Sequence, residues 1–240
     1  MDPKLQPVSV PGSRLPLEQA GGTLALERNK VLRNTYWLLA LSLLPTVGGA
    51  LVGTQFNLAR VFAAYPIAAP LVMFGLMIGS LFVVTALRNS ALGVVALFGF
   101  TFIAGLALTP ILTYAAGFAN GGQLVALAGG MTAVIFFALA GFATVTKKDF
   151  SFMGKFLFVG LILLIVASLA NLFFQVPAAS LTISAIAVLL FSAYILYDVS
   201  RIVNGGETNY IMATMGLFLS IYNLFVSLLN LLLAFTGQRE

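Results

Sequence analysis

The stretch Phe191–Asn230, FSAYILYDVSRIVNGGETNYIMATMGLFLSIYNLFVSLLN, decides the fold. It is an apolar run ending at Tyr197-Asp198, a short polar loop holding Gly205 and Gly206, and a second apolar run. Both runs are helical in length and too apolar to face water. The second carries Ala213, Gly216, Ser220, Asn223, Ser227 and Asn230. Spacings of three and four residues put these six on one helical face. A small and polar stripe on an apolar helix is either a packing seam or a functional lining. Either way the helix belongs at the centre of a bundle, because such a stripe would not turn toward lipid.

Composition extends this reading to the whole chain. Of 240 residues 60% are hydrophobic and 8% charged, with mean hydropathy +1.06. Soluble domains carry about 25% charged residues, so this is an all-α integral membrane protein. A β-barrel would alternate polar and apolar residues over short segments instead of holding long unbroken apolar runs. The net charge of +5 does not point to nucleic acid, because the basic residues flank apolar segments. The chain contains no Cys and no His. That excludes thiolate nucleophiles, Ser–His pairs and the usual zinc sites. No Lys lies in residues 210–234 to form a Schiff base, and no second carboxylate reaches membrane depth for an aspartyl dyad. A non-enzymatic protein is expected, with no cofactor and no metal ligand set.

Seven apolar segments each reach the roughly 20 residues that a membrane span needs. They are placed near 34–57, 61–87, 91–115, 124–146, 156–176, 179–198 and 210–234. Residues 1–33 read as a flexible polar tail with a short helix entering the membrane at Leu26–Arg33, 34–234 as the transmembrane domain and 235–240 as a short external tail. With the N-terminus in the cytoplasm, ten of the twelve Lys and Arg residues are cytoplasmic, and only Arg60 and Arg239 lie outside. This is the positive-inside pattern. Interior prolines at Pro45 and Pro110 should kink or interrupt their helices. Pro66 and Pro70 suit the first turns of the second span or mark a late start for it. Gly48-Gly49, Gly129-Gly130 and Gly141 favour close helix contacts.

Asp198 is the residue with most chemistry to offer, since a carboxylate at the hydrocarbon boundary marks function or a specific pair. Two readings stand. Asp198 faces the bundle interior as a proton sensor, or Arg201, one turn on, neutralises it at the cytoplasmic surface. Arg60 reads as an interfacial arginine that snorkels to water. Ser220, Asn223, Ser227 and Asn230 read as hydrogen-bonding contacts to neighbouring helices, or as a hydrated path along the last helix.

Several motifs taken together resemble the Bax inhibitor-1 family of seven-span membrane proteins. They are Tyr197-Asp198-Val199-Ser200-Arg201, then Gly205-Gly206-Glu207-Thr208-Asn209-Tyr210, then Leu217-Phe218-Leu219-Ser220-Ile221-Tyr222-Asn223-Leu224-Phe225. Lys30-Val31-Leu32-Arg33-Asn34-Thr35-Tyr36, Pro110-Ile111-Leu112 and Lys147-Lys148-Asp149-Phe150-Ser151-Phe152 extend the likeness to everything after about residue 28. The closer similarity is to the YccA-like branch of Gram-negative inner membranes. The resemblance implies a last helix wrapped by the other six. It also implies restraint of the membrane AAA protease FtsH by a substrate-like chain that resists extraction. Residues 1–33 would then be the gripped segment, with Arg28, Lys30 and Arg33 at the membrane entry, and the HflK and HflC regulators nearby. Other family members are pH-sensitive calcium leak channels that use two aspartates. Asp198 matches the first, but Ser220 stands at the second and cannot share a proton or complete a dicarboxylate calcium site. Asp198, Arg201, Ser220 and Asn223 are the candidate ion- and proton-sensing residues on that reading.

Overall fold

The computed structural model describes residues 17–237, with side chains from residue 28 to residue 236. The helices are α1 (Leu17–Gln55), α2 (Leu58–Ala64), α3 (Ala68–Leu87), α4 (Ala91–Ala116), α5 (Gly121–Thr146), α6 (Gly154–Phe174), α7 (Pro177–Val203) and α8 (Tyr210–Gly237), with a 3-10 turn at Ser151–Met153. There is no strand among the described residues. All helices except the seven-residue α2 are long and apolar enough to cross a membrane, so the seven-span, all-α architecture read from the sequence is the one found.

Three boundaries differ from expectation. α1 begins at Leu17, well inside the segment read as a tail; residues 1–16 and 238–240 lie outside the described residues. The second span starts at Ala68 instead of residue 61. Asn57 adopts a left-handed conformation (φ 49°) and breaks the chain after α1, α2 forms a separate connector carrying the exposed Arg60, and the Tyr65-Pro66 step precedes the span. α7 continues to Val203, five residues past Asp198. It does so because Val199, Ser200 and Ile202 are buried, so packing carries the helix beyond its charged residues. Both α1 and α4 run on through their interior prolines.

The connection after α7 is closed by local chemistry. Gly205 takes φ 78°, the Gly206 N–H donates to the Arg201 carbonyl (2.7 Å) and the Gly205 N–H to the Ile202 carbonyl (3.2 Å). That is a Schellman motif, and glycine is the residue that enters it without strain. Asn209 then caps α8, its Oδ1 accepting from the N–H groups of Ile211 (3.0 Å) and Met212 (3.1 Å).

α8 is the centre of the bundle. Leu217, Phe218, Leu224 and Leu229 are fully or almost fully buried along it, and Phe218 meets Phe100 of α4 edge-on at 5.8 Å. It packs against α1, α3, α4, α5 and α7. The expectation of six surrounding helices needs correction. α6 does not reach α8; it packs on α7 and the 3-10 turn, and only Leu157 of α6 is buried.

The tightest helix pair is α1 with α4, which run parallel. Thr46, Gly49 and Gly53 of α1 face Phe102, Gly105 and Thr109 of α4. A Cβ on Gly49 would overlap the Phe102 carbonyl, one on Gly105 the Thr46 carbonyl and one on Gly53 the Thr109 hydroxyl. Only missing side chains let the two backbones approach this closely. Gly129, Gly130 and Gly141, expected in such contacts, have nothing near their missing side chains. They lie on open faces of α5, and the residues forming the seam are Gly49, Gly53 and Gly105.

Candidate functional site

The polar end of the bundle is assembled where the α7–α8 loop meets the other connections on that side. Ser200 Oγ donates to the Lys148 carbonyl (2.9 Å) and accepts from the Phe150 N–H (3.0 Å). Asn204 Nδ2 donates to the same Lys148 carbonyl at 3.2 Å and to the Ser200 carbonyl at 3.0 Å. Asn209 Nδ2 donates to the Arg88 carbonyl and to Asn89 Oδ1, both at 3.0 Å. The Arg28 guanidinium lies against Gly205, its Nε 2.8 Å from where a Cβ would stand. One loop therefore gathers the entry of α1, the α3–α4 turn and the α5–α6 connection.

Beneath this loop lies a cavity of about 170 Å³ lined by Asp198, Arg201, Glu207, Met212, Ala213 and Gly216 among others. Asp198 reaches across to α8. Its Oδ2 stands 3.3 Å, and its Oδ1 3.8 Å, from where a Gly216 Cβ would be. Gly216 is thus the opening that lets a carboxylate side chain lie against the central helix. Ser220, one turn further along α8, faces the same carboxylate.

Arg201 lines the same cavity, but its ion pair is with another carboxylate. Its Nη2 makes an ion pair with Glu207 Oε2 at 3.5 Å and donates to the Gly206 carbonyl at 3.1 Å. Its guanidinium carbon lies 5.6 Å from the Tyr197 ring centroid. A Glu207 oxygen also accepts from the Asn209 N–H at 3.0 Å, so both partners are held. Asp198 therefore lies against α8 in a cavity that Arg201 also lines, and the ion pair of Arg201 is with Glu207. Among the described residues Arg201–Glu207 is the only ion pair, and no group of three metal-ligating side chains comes together.

Two residues of the α8 stripe bond within their own helix, and one of them also faces a neighbouring helix at Asp198. Ser220 Oγ donates to the Gly216 carbonyl (3.1 Å) and Asn223 Nδ2 to the Leu219 carbonyl (2.8 Å), both within the helix. Such backbonding lets polar residues sit in an apolar helix without a partner helix. Ser220 and Asp198 are brought together; Asn223 is not part of the cavity. Arg28 joins the loop above, and Lys30 and Arg33 are exposed. Sequence reasoning placed Gly216 on the α8 stripe but gave no site role to Glu207 or to the three fastening residues Ser200, Asn204 and Asn209. Asn209 had a usable signal, an Asn directly ahead of an apolar run.

Outside the spans, the Asp149 carboxylate accepts from the Ser151 N–H at 2.8 Å. The Ser151 hydroxyl and N–H hold this exposed carboxyl below the usual range.

Comparison with known proteins agrees with this architecture. The family model described as "Inhibitor of apoptosis-promoting Bax1" matches residues 28–237. The chain is 46% identical over 208 residues, 86% of its own length and 90% of the relative's, to an uncharacterised membrane protein of Vibrio cholerae. It is 45% identical over 205 residues to a Pseudomonas aeruginosa protein, covering 85% of this chain and 89% of that one. It is 40% identical over 211 residues, 88% of this chain and 92% of the relative, to the Escherichia coli K12 protein named "Modulator of FtsH protease YccA". With a family match across the whole described bundle, from the arginine against the Gly205 loop to the end of the central helix, the chain belongs to the Bax inhibitor-1 family of multi-pass membrane proteins.

Proposed function

We propose that this protein is a non-enzymatic modulator of the membrane AAA protease FtsH, a substrate-like inhibitor engaged through its N-terminal tail on the cytoplasmic side of the inner membrane. The observation that carries the reading is the 40% identity over 92% of the E. coli protein named as a modulator of that protease. Ten of twelve basic residues on one side of the membrane support a cytoplasmic N-terminus. The tail leads directly into α1, so force applied to it acts first on that helix. The regulators HflK and HflC belong to the same expected assembly. The test is isolation of the full-length protein from native membranes, with and without residues 2–16. The reading expects the protease to accompany the intact chain and its turnover to rise when the tail is removed. No accompanying protease, or turnover indifferent to the tail, would overturn it.

A second reading, a pH-influenced calcium or ion leak, is favoured by one feature: Asp198 faces a cavity while Arg201 is bound to Glu207. Ser220 in place of a second carboxylate weighs against a calcium pair. Liposomes holding the purified protein should pass calcium at a rate changed by Asp198→Asn. Flux equal to that of empty liposomes at mildly acidic and mildly basic pH eliminates it.

A further inference from the structure

A chain that a protease grips by its N-terminus and fails to extract needs something that holds its first helix. We propose that the α1–α4 seam is that lock. The inference rests on the protease reading above for its biological meaning, and on geometry alone for its mechanics.

The line of force is short. α1 is a single helix of 39 residues from Leu17 to Gln55, about 58 Å long at 1.5 Å per residue. Tension at its start runs along its axis to the last turns, where Thr46, Gly49 and Gly53 sit on α4. The two helices are parallel here, so pulling α1 toward its own N-terminus is a sliding motion along α4. That motion is what the seam opposes. The Phe102 carbonyl occupies the space above Gly49 and the Thr46 carbonyl that above Gly105. Moving α1 by one residue along its own screw toward its N-terminus brings the side chain of Ala50 onto the Phe102 carbonyl and that of Thr54 onto the Thr109 hydroxyl. The Thr109 hydroxyl, fully buried and with no hydrogen-bond partner, projects onto Gly53 as a peg on the end nearest the α1 terminus. A buried hydroxyl left without a partner is costly, and Ser42 and Thr46 of the facing helix α1 show the usual alternative, a bond to the carbonyl four residues back. Large side chains can yield by rotating; carbonyls of two helices cannot. The seam therefore resists shear through backbone that cannot yield.

The mechanical test pulls the full-length protein in bicelles from a handle on Met1 and records the rate at which α1 leaves the bundle at constant force. Gly105→Ala should speed this release by roughly tenfold or more, since overpacking a close contact forces the backbones apart. Gly129→Ala, on an open face of α5, should leave it unchanged. A second variant keeps the test decisive if Gly105→Ala does not fold. The chain has no Cys, and a Gly53 Cβ would stand 3.1 Å from that of Thr109, a few tenths of an ångström inside the usual disulfide separation of about 3.5–4.5 Å, so Gly53→Cys with Thr109→Cys offers a single possible disulfide after a small outward shift. Oxidation should abolish release of α1 and reduction restore it. Equal release by Gly105→Ala and the parent, or by the oxidised and reduced forms, overturns the lock. Incubation with purified FtsH separates the two proposals. The lock predicts that Gly105→Ala is degraded and the parent persists. A protease that engages both and degrades them equally overturns the lock as the cause of resistance. A protease that engages neither overturns the modulator reading, while the pulling result stands.

Discussion

Two helix pairs carry this molecule, and they are built on opposite principles. α1 and α4 are parallel and meet backbone to backbone through Gly49, Gly53 and Gly105. α7 and α8 are antiparallel and consecutive, held by buried side chains such as Ile195, Val199, Leu217 and Phe218, and closed at one end by a hydrogen-bonded loop. The first pair leaves no space between its members. The second keeps a cavity of about 170 Å³ where Asp198 meets Gly216. In lipid no hydrophobic effect drives helices together, so close packing and hydrogen bonds have to do so. The first pair takes the packing route, and the second adds the hydrogen-bond route where chemistry needs room.

The comparison can be broken most severely at Gly105. Gly105→Leu should destabilise the bundle by about 3 kcal/mol or more, the upper range for overpacking, seen as a large fall in the thermal midpoint in detergent. Gly129→Leu should leave the midpoint nearly unchanged, and an equal fall for both would refute the distinction between seam and open face. Next in size is Asn209→Ala. It removes the cap of α8 and two bonds to the α3–α4 turn, with an expected cost of about 1–2 kcal/mol. Hydrogen exchange should then rise in the first turn of α8 and not in α1 or α4. Gly216→Ala tests the tolerant pair more gently. Its Cβ would stand 3.3 Å from Asp198 Oδ2, the tip of a side chain that can shift, so the cost should stay below about 1 kcal/mol. A fall as large as that for Gly105→Leu would mean that α7–α8 is as rigid as the seam.

The smallest effect is at Asp149, beside the connection that Ser200 fastens. Its carboxyl is held below the usual range by Ser151 when folded. The unfolded chain therefore binds that proton more readily, and the contribution is present above the unfolded value and lost as pH falls through the folded one. Asp149→Asn should lower stability slightly at neutral pH, change nothing once pH is below the folded value, and so remove a slight acid-side slope. A slope unchanged by the substitution would count against the Ser151 contact.

Much of this was legible in the residues. Seven spans follow from hydropathy because each apolar run has to be long enough to cross, and the centrality of α8 follows from a stripe that lipid would not accept. What stayed hidden depends on partners. Gly49 and Gly129 look alike in sequence, each beside a second glycine, yet only one faces a carbonyl. α7 could not be followed past Asp198 from hydropathy, because its last turn carries Arg201 while burying Val199 and Ile202 on the other side. Arg201 sits one turn from Asp198, the textual cue for a local pair, but the Schellman turn brings Glu207 back within its reach. The self-bonding of Ser220 and Asn223 was hidden for the same reason: a hydroxyl or amide four residues from a carbonyl has an intrahelical option that spacing alone does not rank.

The bonds that fasten the α7–α8 loop have a further property. Ser200 and Asn204 reach the carbonyl of Lys148, and Asn209 that of Arg88. Both acceptors are main chain on basic residues that flank apolar spans. The fastening is blind to what those side chains are. The side chains at these two positions can be exchanged or modified while the closure of the bundle persists, because the loop holds only their main chain.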